Sequence, residues 1–123
     1  MLHSVRALVL FGLLMSLPCA VQAGHHARKD AVLAFVSERE LPSEARNTLR
    51  LINQNGSFSY PRDGVVFGNY EHHLPQQPRG YYHEYTVKTL GAHNRGARRI
   101  VCGPLPECYY SGDHYRTFRR IQK

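Results

Sequence analysis

The chain has 123 residues, with 16 Lys and Arg against 9 Asp and Glu and a formal net charge of +7. That length allows one compact domain with a modest core and excludes a large multidomain assembly. The basic excess, carried mostly by arginine, suits nucleic acid, an anionic membrane surface or an acidic protein, and charge alone does not choose among them.

Residues 1–23, MLHSVRALVLFGLLMSLPCAVQA, carry Arg6 in a short leading region, an apolar run from Ala7 to Leu17, and Val21-Gln22-Ala23 as a small-residue cleavage site. This is the pattern of a secretory signal peptide cut near Ala23, and the apolar run is shorter than the ~20 residues a membrane-spanning helix needs. The mature protein is expected to be soluble and exported, to periplasm or medium, with no membrane attachment. Residues 24–31, GHHARKDA, read as a flexible basic arm, and 32–123 as the folded domain.

Val32 to Val36 is a short apolar segment. LPSEARNTLRLINQNG then has helix punctuation: Pro42 or Ser43 at the start, Glu44 in the first turn and Asn55-Gly56 as the stop. Ala45, Leu49 and Ile52 fall at i, i+4 and i+7 and give it one apolar face. Downstream, Pro61-Arg62-Asp63-Gly64 is a turn leading into Val65-Val66-Phe67, followed by the loop GNYEHHLPQQPRG and the strand GYYHEYTV. LGAHNRG turns into ARRIVC, and after Tyr109-Tyr110 the SGDH turn leads to a last strand from Tyr115 to Ile121. One helix followed by hairpin-linked strands predicts an α+β fold, the main N-terminal helix packed on one face of a twisted antiparallel sheet. The other face is left open to solvent or a ligand.

Cys102 and Cys108 are the two cysteines left after leader removal, and an even count in an exported chain reads as one disulfide. Closing that short loop is worth roughly 2.4 kcal/mol by the chain-entropy formula. No metal is expected: these cysteines lack a CxxC partner, and His25-His26 and His72-His73 are adjacent rather than ligand-spaced.

In GYYHEYTV, alternation puts Tyr82, Glu84 and Thr86 on one strand face, so a carboxylate sits mid-strand where Glu is depleted. A solvated face would explain it. So would chemistry, because Glu84, the arginines of HNRGARR and His114 of SGDHY all fall at strands or the turns between them. A carboxylate and an imidazole with guanidiniums nearby can move two protons across a phosphodiester while holding the phosphate. RNA supplies its own nucleophile, the 2′-hydroxyl.

LPSEARNTLRLI, DGVVFGNYEHHLP, GYYHEYTV, RGARRIV and YYSGDHYRTF occur in one collinear order over roughly residues 32 to 121. In this the chain resembles the secreted guanyl-specific microbial ribonucleases, the family of barnase and the Streptomyces ribonucleases. The resemblance implies an endoribonuclease without cofactor or metal, cleaving single-stranded RNA 3′ of guanosine through a 2′,3′-cyclic phosphate. It assigns Glu84 as general base, His114 as general acid, Arg95 and Arg99 as phosphate-holding groups and Tyr115 to the phosphate site. Phe67, Gly68, Asn69, Tyr70 and Glu71, in the FxNxExxLP pattern, match the guanine-binding loop. There backbone N–H groups take guanine O6, and the Glu71 carboxylate accepts from N1–H and the 2-amino group, which adenine cannot reproduce. Gly68 and Tyr70 depart from close relatives, which carry a longer polar residue and an arginine at those positions; Tyr70 is a candidate to stack on the base. The Streptomyces relatives also join their two ends by a disulfide, where this chain has Ser37.

The resemblance further implies a monomer and an acidic, barstar-like intracellular inhibitor as partner. The remaining alternative is a basic RNA-binding or toxic module without catalysis. His72, His73, His83 and His93 are expected to be exposed and without a role, Arg98 to face away from Arg99, and Arg116, Arg119 and Arg120 to form a solvated basic surface.

Overall fold

The computed structural model describes residues 33–123; the predicted signal peptide and basic arm lie outside the described residues. The strands are β1 (Ala34–Ser37), β2 (Val66–Phe67), β3 (Tyr82–Thr86), β4 (Arg99–Cys102), β5 (Cys108–Ser111) and β6 (Arg119–Gln122), with one α-helix, α1 (Ser43–Asn53), between β1 and β2. They form one six-stranded sheet in the order β1-β6-β5-β4-β3-β2. Every pairing is antiparallel except β1 with β6, which is parallel. The apolar segment around Val36 thus joins the sheet beside the last strand of the chain.

Helix α1 begins after Pro42, whose carbonyl accepts from the backbone N–H groups of Ala45 and Arg46. It ends where Asn55 takes a left-handed φ of 51° and Gly56 N–H returns to Leu51 O. Asn tolerates this conformation, so Asn55 rather than Gly56 makes the turn. Ala45, Thr48, Leu49 and Ile52 are buried, one more residue than the apolar pattern shows. The Thr48 hydroxyl lies 3.1 Å from both its own helix, at Glu44 O, and the sheet, at Thr86 O, so a polar residue serves as the tie between them.

Below the helix lies the larger core: Val36, Leu41, Leu49, Ile52, Val87, Ile100 and Tyr110 with the half-cystines Cys102 and Cys108. Full burial of a Leu or Ile side chain is worth about 1.5–3 kcal/mol. The predicted disulfide is present, and its cysteines face one another across the β4–β5 ladder. The opposite face is not bare. Leu74, Tyr82, Val101, Tyr109 and Phe118 form a second, smaller cluster there, flanked by Phe67, Tyr81 and Tyr115. It covers one end of that face and leaves the Glu84–Arg99 end polar.

The last strand is shorter than predicted. Residues 112–116 are turns and bends and 117–118 have no regular structure, because Asp113 draws the chain into a compact loop: it accepts from Ser111 Oγ, Thr117 N–H and Thr117 Oγ1. The tail of that loop is not simply solvated either. Arg119 lies over the Tyr110 ring at 5.6 Å and Arg120 over Tyr109 at 5.9 Å, so two of the three arginines read as basic surface pack across the β5–β6 pair.

Candidate active site

Glu84 occupies the centre of β3, opposite Val101, and is 5% exposed. Its backbone is fixed on the other side too. Gly64 N–H donates to Glu84 O at 2.8 Å, and Glu84 N–H donates to Val65 O at 2.9 Å. Gly64 makes this approach with φ +86°, a conformation that strains any residue with a Cβ. Asp63 completes the anchor by accepting from Thr86 N–H at 2.7 Å and Tyr60 N–H at 3.2 Å.

Three side chains converge on the Glu84 carboxylate. Arg95 Nη2 donates to Oε1 at 3.2 Å, while its Nε donates to Thr86 Oγ1 on the same strand face. The Tyr115 hydroxyl donates to Oε2 at 2.8 Å and accepts from Arg99 Nε at 3.0 Å. Arg62 Nε lies 3.6 Å from Oε1 and is 65% exposed at the mouth. Burial raises the Tyr115 phenol above its ordinary pKa, and the hydrogen bond to Glu84 adds to this, so the group remains a proton donor.

Arg99 is 2% exposed, yet no carboxylate lies within ion-pair distance of it among the described residues. Its charge is held by the Tyr115 hydroxyl and by the carbonyls of Arg95 and Arg98. Nη2 has no hydrogen-bond partner among the described residues. A buried cation so arranged is poised for an incoming anion. Arg98 turns away, as expected, toward Glu44, Thr89 and Lys88 O.

His114 sits beside this group in the Asp113 loop, with φ +57°, followed by Tyr115 at +68°. Two successive left-handed residues are costly for side chains of this size, and a tight frame holds them: His114 N–H donates to Ala97 O at 2.9 Å and Tyr115 N–H to Ser111 Oγ at 2.9 Å. Hydrogen bonds from Thr117 and Ser111 hold the Asp113 carboxyl below its ordinary pKa. The exposed His114 ring packs against Tyr115 at 5.0 Å.

The predicted guanine loop abuts this cluster through Phe67, whose ring stacks on Tyr115 at 5.3 Å and meets Phe118 edge-on at 5.9 Å. Asn69, at φ +51°, is the staple. Its amide donates to Leu74 O at 3.0 Å, its carbonyl oxygen accepts from Leu74 N–H at 3.1 Å, and its backbone carbonyl accepts from His72 N–H. Glu71 projects outward, 79% exposed on its side chain, and among the described residues its carboxylate has one polar partner, His73. Tyr70 is also exposed, at 78%, with its hydroxyl accepting from Arg79 Nη1 at 2.7 Å. A Cβ on Gly68 would lie 2.4 Å from the Tyr70 ring, so the two departures in this loop are coupled: the missing side chain at 68 makes room for the ring at 70.

The ribonuclease family model matches residues 25–122. This chain belongs to the ribonuclease family. It is 57% identical over 84 residues to guanyl-specific ribonuclease Sa of Kitasatospora aureofaciens, covering 68% of this chain and 88% of the relative. It is 52% identical over 80 residues to guanyl-specific ribonuclease St of Saccharopolyspora erythraea, covering 65% of this chain and 79% of the relative. A solved structure of ribonuclease Sa2 in complexes with mononucleotides superposes with a TM-score of 0.75 at 52% identity, over 76% of this chain and 98% of the other. Ribonuclease Sa2 with guanosine-2′-cyclophosphate superposes at 0.70 and 53% identity, over 73% and 97%.

Within the family fold, Glu84, Arg95, Arg99, Tyr115 and His114 come together as one group, and Phe67 links the loop to it. Glu71 and Tyr70 share no hydrogen bond with this group among the described residues. Sequence reading missed three contributors. Arg62 was visible only as a turn residue, and Thr86 only as a residue on the same strand face as Glu84, without its bond to Arg95. His83, expected to be exposed, is half-buried with Nδ1 2.9 Å from Gly64 O, where it helps hold the turn beneath Glu84.

Proposed function

We propose that this protein is an exported, guanyl-preferring endoribonuclease that needs no metal, with Glu84 as general base and His114 as general acid. The observation that carries the reading is the Glu84 carboxylate on a central strand, bonded to Arg95 and Tyr115, with Arg99 anchored behind the tyrosine and the His114 imidazole packed on it. Glu84 takes the proton from the 2′-hydroxyl as O2′ bonds to phosphorus. The bond from phosphorus to O5′ breaks, and His114 supplies the proton to that oxygen. Water then opens the 2′,3′-cyclic phosphate with the two roles exchanged.

In this reading Arg95 and the free Nη2 edge of Arg99 supply donors to charge gathering on the phosphate oxygens beside Glu84, and Tyr115, whose hydroxyl proton goes to Glu84 Oε2, borders that site and orients the carboxylate. Guanine preference rests on the Asn69-stapled loop and Glu71, together with the specificity stated for the Sa and St relatives. Export is supported by the leader-like residues 1–23 and the Cys102–Cys108 bond. A monomer and an acidic intracellular inhibitor complete the reading. The test is cleavage of single-stranded RNA and DNA by the mature protein in EDTA. RNA is expected to be cut after guanosine and DNA left intact; equal cleavage of both, or a strict requirement for added Mg²⁺, would overturn the mechanism.

A further inference from the structure

His73 stands directly beside Glu71 in space: its Nε2 lies 2.9 Å from Glu71 Oε2. The two residues differ in how firmly they are held. The Glu71 side chain is 79% exposed and has no other partner among the described residues, whereas the His73 side chain is 41% exposed, with its ring beside a core residue. Its ring packs on Phe118 at 6.4 Å, and Phe118 belongs to the buried cluster with Leu74. The backbone at Leu74, the next residue, is pinned in both directions by Asn69. His73 is therefore the better anchored of the two, and its imidazole is the one group among the described residues that reaches the Glu71 carboxylate.

We propose that His73 is a positioning residue for guanine recognition, holding the Glu71 carboxylate in one orientation before the base arrives. This rests on the reading that Glu71 accepts from the guanine edge. A carboxylate offers about four lone-pair sites on two oxygens, so a single N–H from His73 to Oε2 leaves Oε1 and part of Oε2 open to N1–H and the 2-amino group. Immobilising a rotamer-rich side chain in advance removes an ordering cost from binding, and the benefit falls on guanine substrates alone.

The experiment compares GpU and ApU cleavage by the mature enzyme and its His73→Ala, His73→Gln, Glu71→Gln and His73→Ala/Glu71→Gln variants. His73→Ala is expected to raise KM for GpU by about threefold to tenfold with little change in kcat or in ApU cleavage. His73→Gln, which keeps an N–H donor, recovers part of the loss. In the Glu71→Gln background the alanine substitution has no further effect, since the two residues act through one interaction. Equal losses on GpU and ApU, or effects of the two substitutions that simply add, would reduce His73 to a structural residue and overturn the proposal. If Glu71→Gln lowers guanine preference and His73→Ala does not, only the positioning role fails. If Glu71→Gln itself leaves the preference unchanged, the loop has been misread and the proposal falls with it.

Discussion

Two carboxylates, Glu84 and Glu71, are held in opposite ways. Glu84 is 5% exposed on a central strand, bonded through its backbone on both sides and through its side chain to Arg95 and Tyr115. Glu71 is largely exposed on a loop, and among the described residues its one polar partner is His73. A group that takes a proton in the transition state gains from a rigid sheet that fixes it to a fraction of an ångström. A group that reads the edge of a base must first let the base in. Here the loop backbone is the rigid part, tied by Asn69, and the side chains proposed to meet the base, Tyr70 and Glu71, are accessible.

The largest test of this contrast is Glu84→Gln. It should lower kcat/KM by about 10²- to 10⁴-fold on guanosine and adenosine substrates alike, with the fold retained by circular dichroism. A loss confined to guanosine substrates would put Glu84 in recognition instead. Asn69→Ala should act on the loop through stability. It removes two buried hydrogen bonds and places alanine at a left-handed φ, costing about 2–3 kcal/mol in a denaturant titration. Asn69→Gly, which accepts that φ, should lose less; equal losses for the two variants would mean that backbone strain has no part in the effect.

How much of this was legible in the residues differs between the two regions. The Glu84 strand, the arginines of HNRGARR and the GDHY loop stood out because their chemistry is unusual for strands and turns, and the fold class followed from one amphipathic helix and a series of turn-bounded strands. The parallel β1–β6 pair was not legible, since a short apolar segment does not say which distant strand it joins. Arg62 was hidden because a turn signal says where the chain reverses and not what the side chain at its apex reaches. Asp113, two residues after the end of β5, looked like ordinary turn chemistry, yet three hydrogen bonds to it shape the loop that carries His114.

Asp113→Asn sharpens the comparison at intermediate size. The folded protein holds the Asp113 carboxyl below its ordinary pKa, so its contribution is fully present above the unfolded pKa and is lost as pH falls through the folded one. The variant should be less stable by about 1 kcal/mol at neutral pH, and the gap should close in acid, below the usual carboxylate range. A gap that is constant with pH would show that the carboxylate charge is not what orders the loop.

Arg62→Gln should have the smallest effect. Because this guanidinium is largely exposed, its loss should cost about twofold to fivefold in kcat/KM at low salt, and the difference should vanish as the Debye length shortens to ~3 Å near 1 M. A loss that persists in high salt would place Arg62 in direct contact with the reacting phosphate, the role proposed for Arg95 and Arg99.

The division of labour between Glu84 and His114 is tested most directly by His114→Gln, assayed on an RNA dinucleotide and on a guanosine 3′-aryl phosphate whose leaving group needs little protonation. The variant should be slowed strongly on the dinucleotide and only weakly on the aryl ester, because the missing proton donor matters only when the departing oxygen is a poor leaving group. Equal losses on both substrates would contradict the account and require another residue to be the general acid.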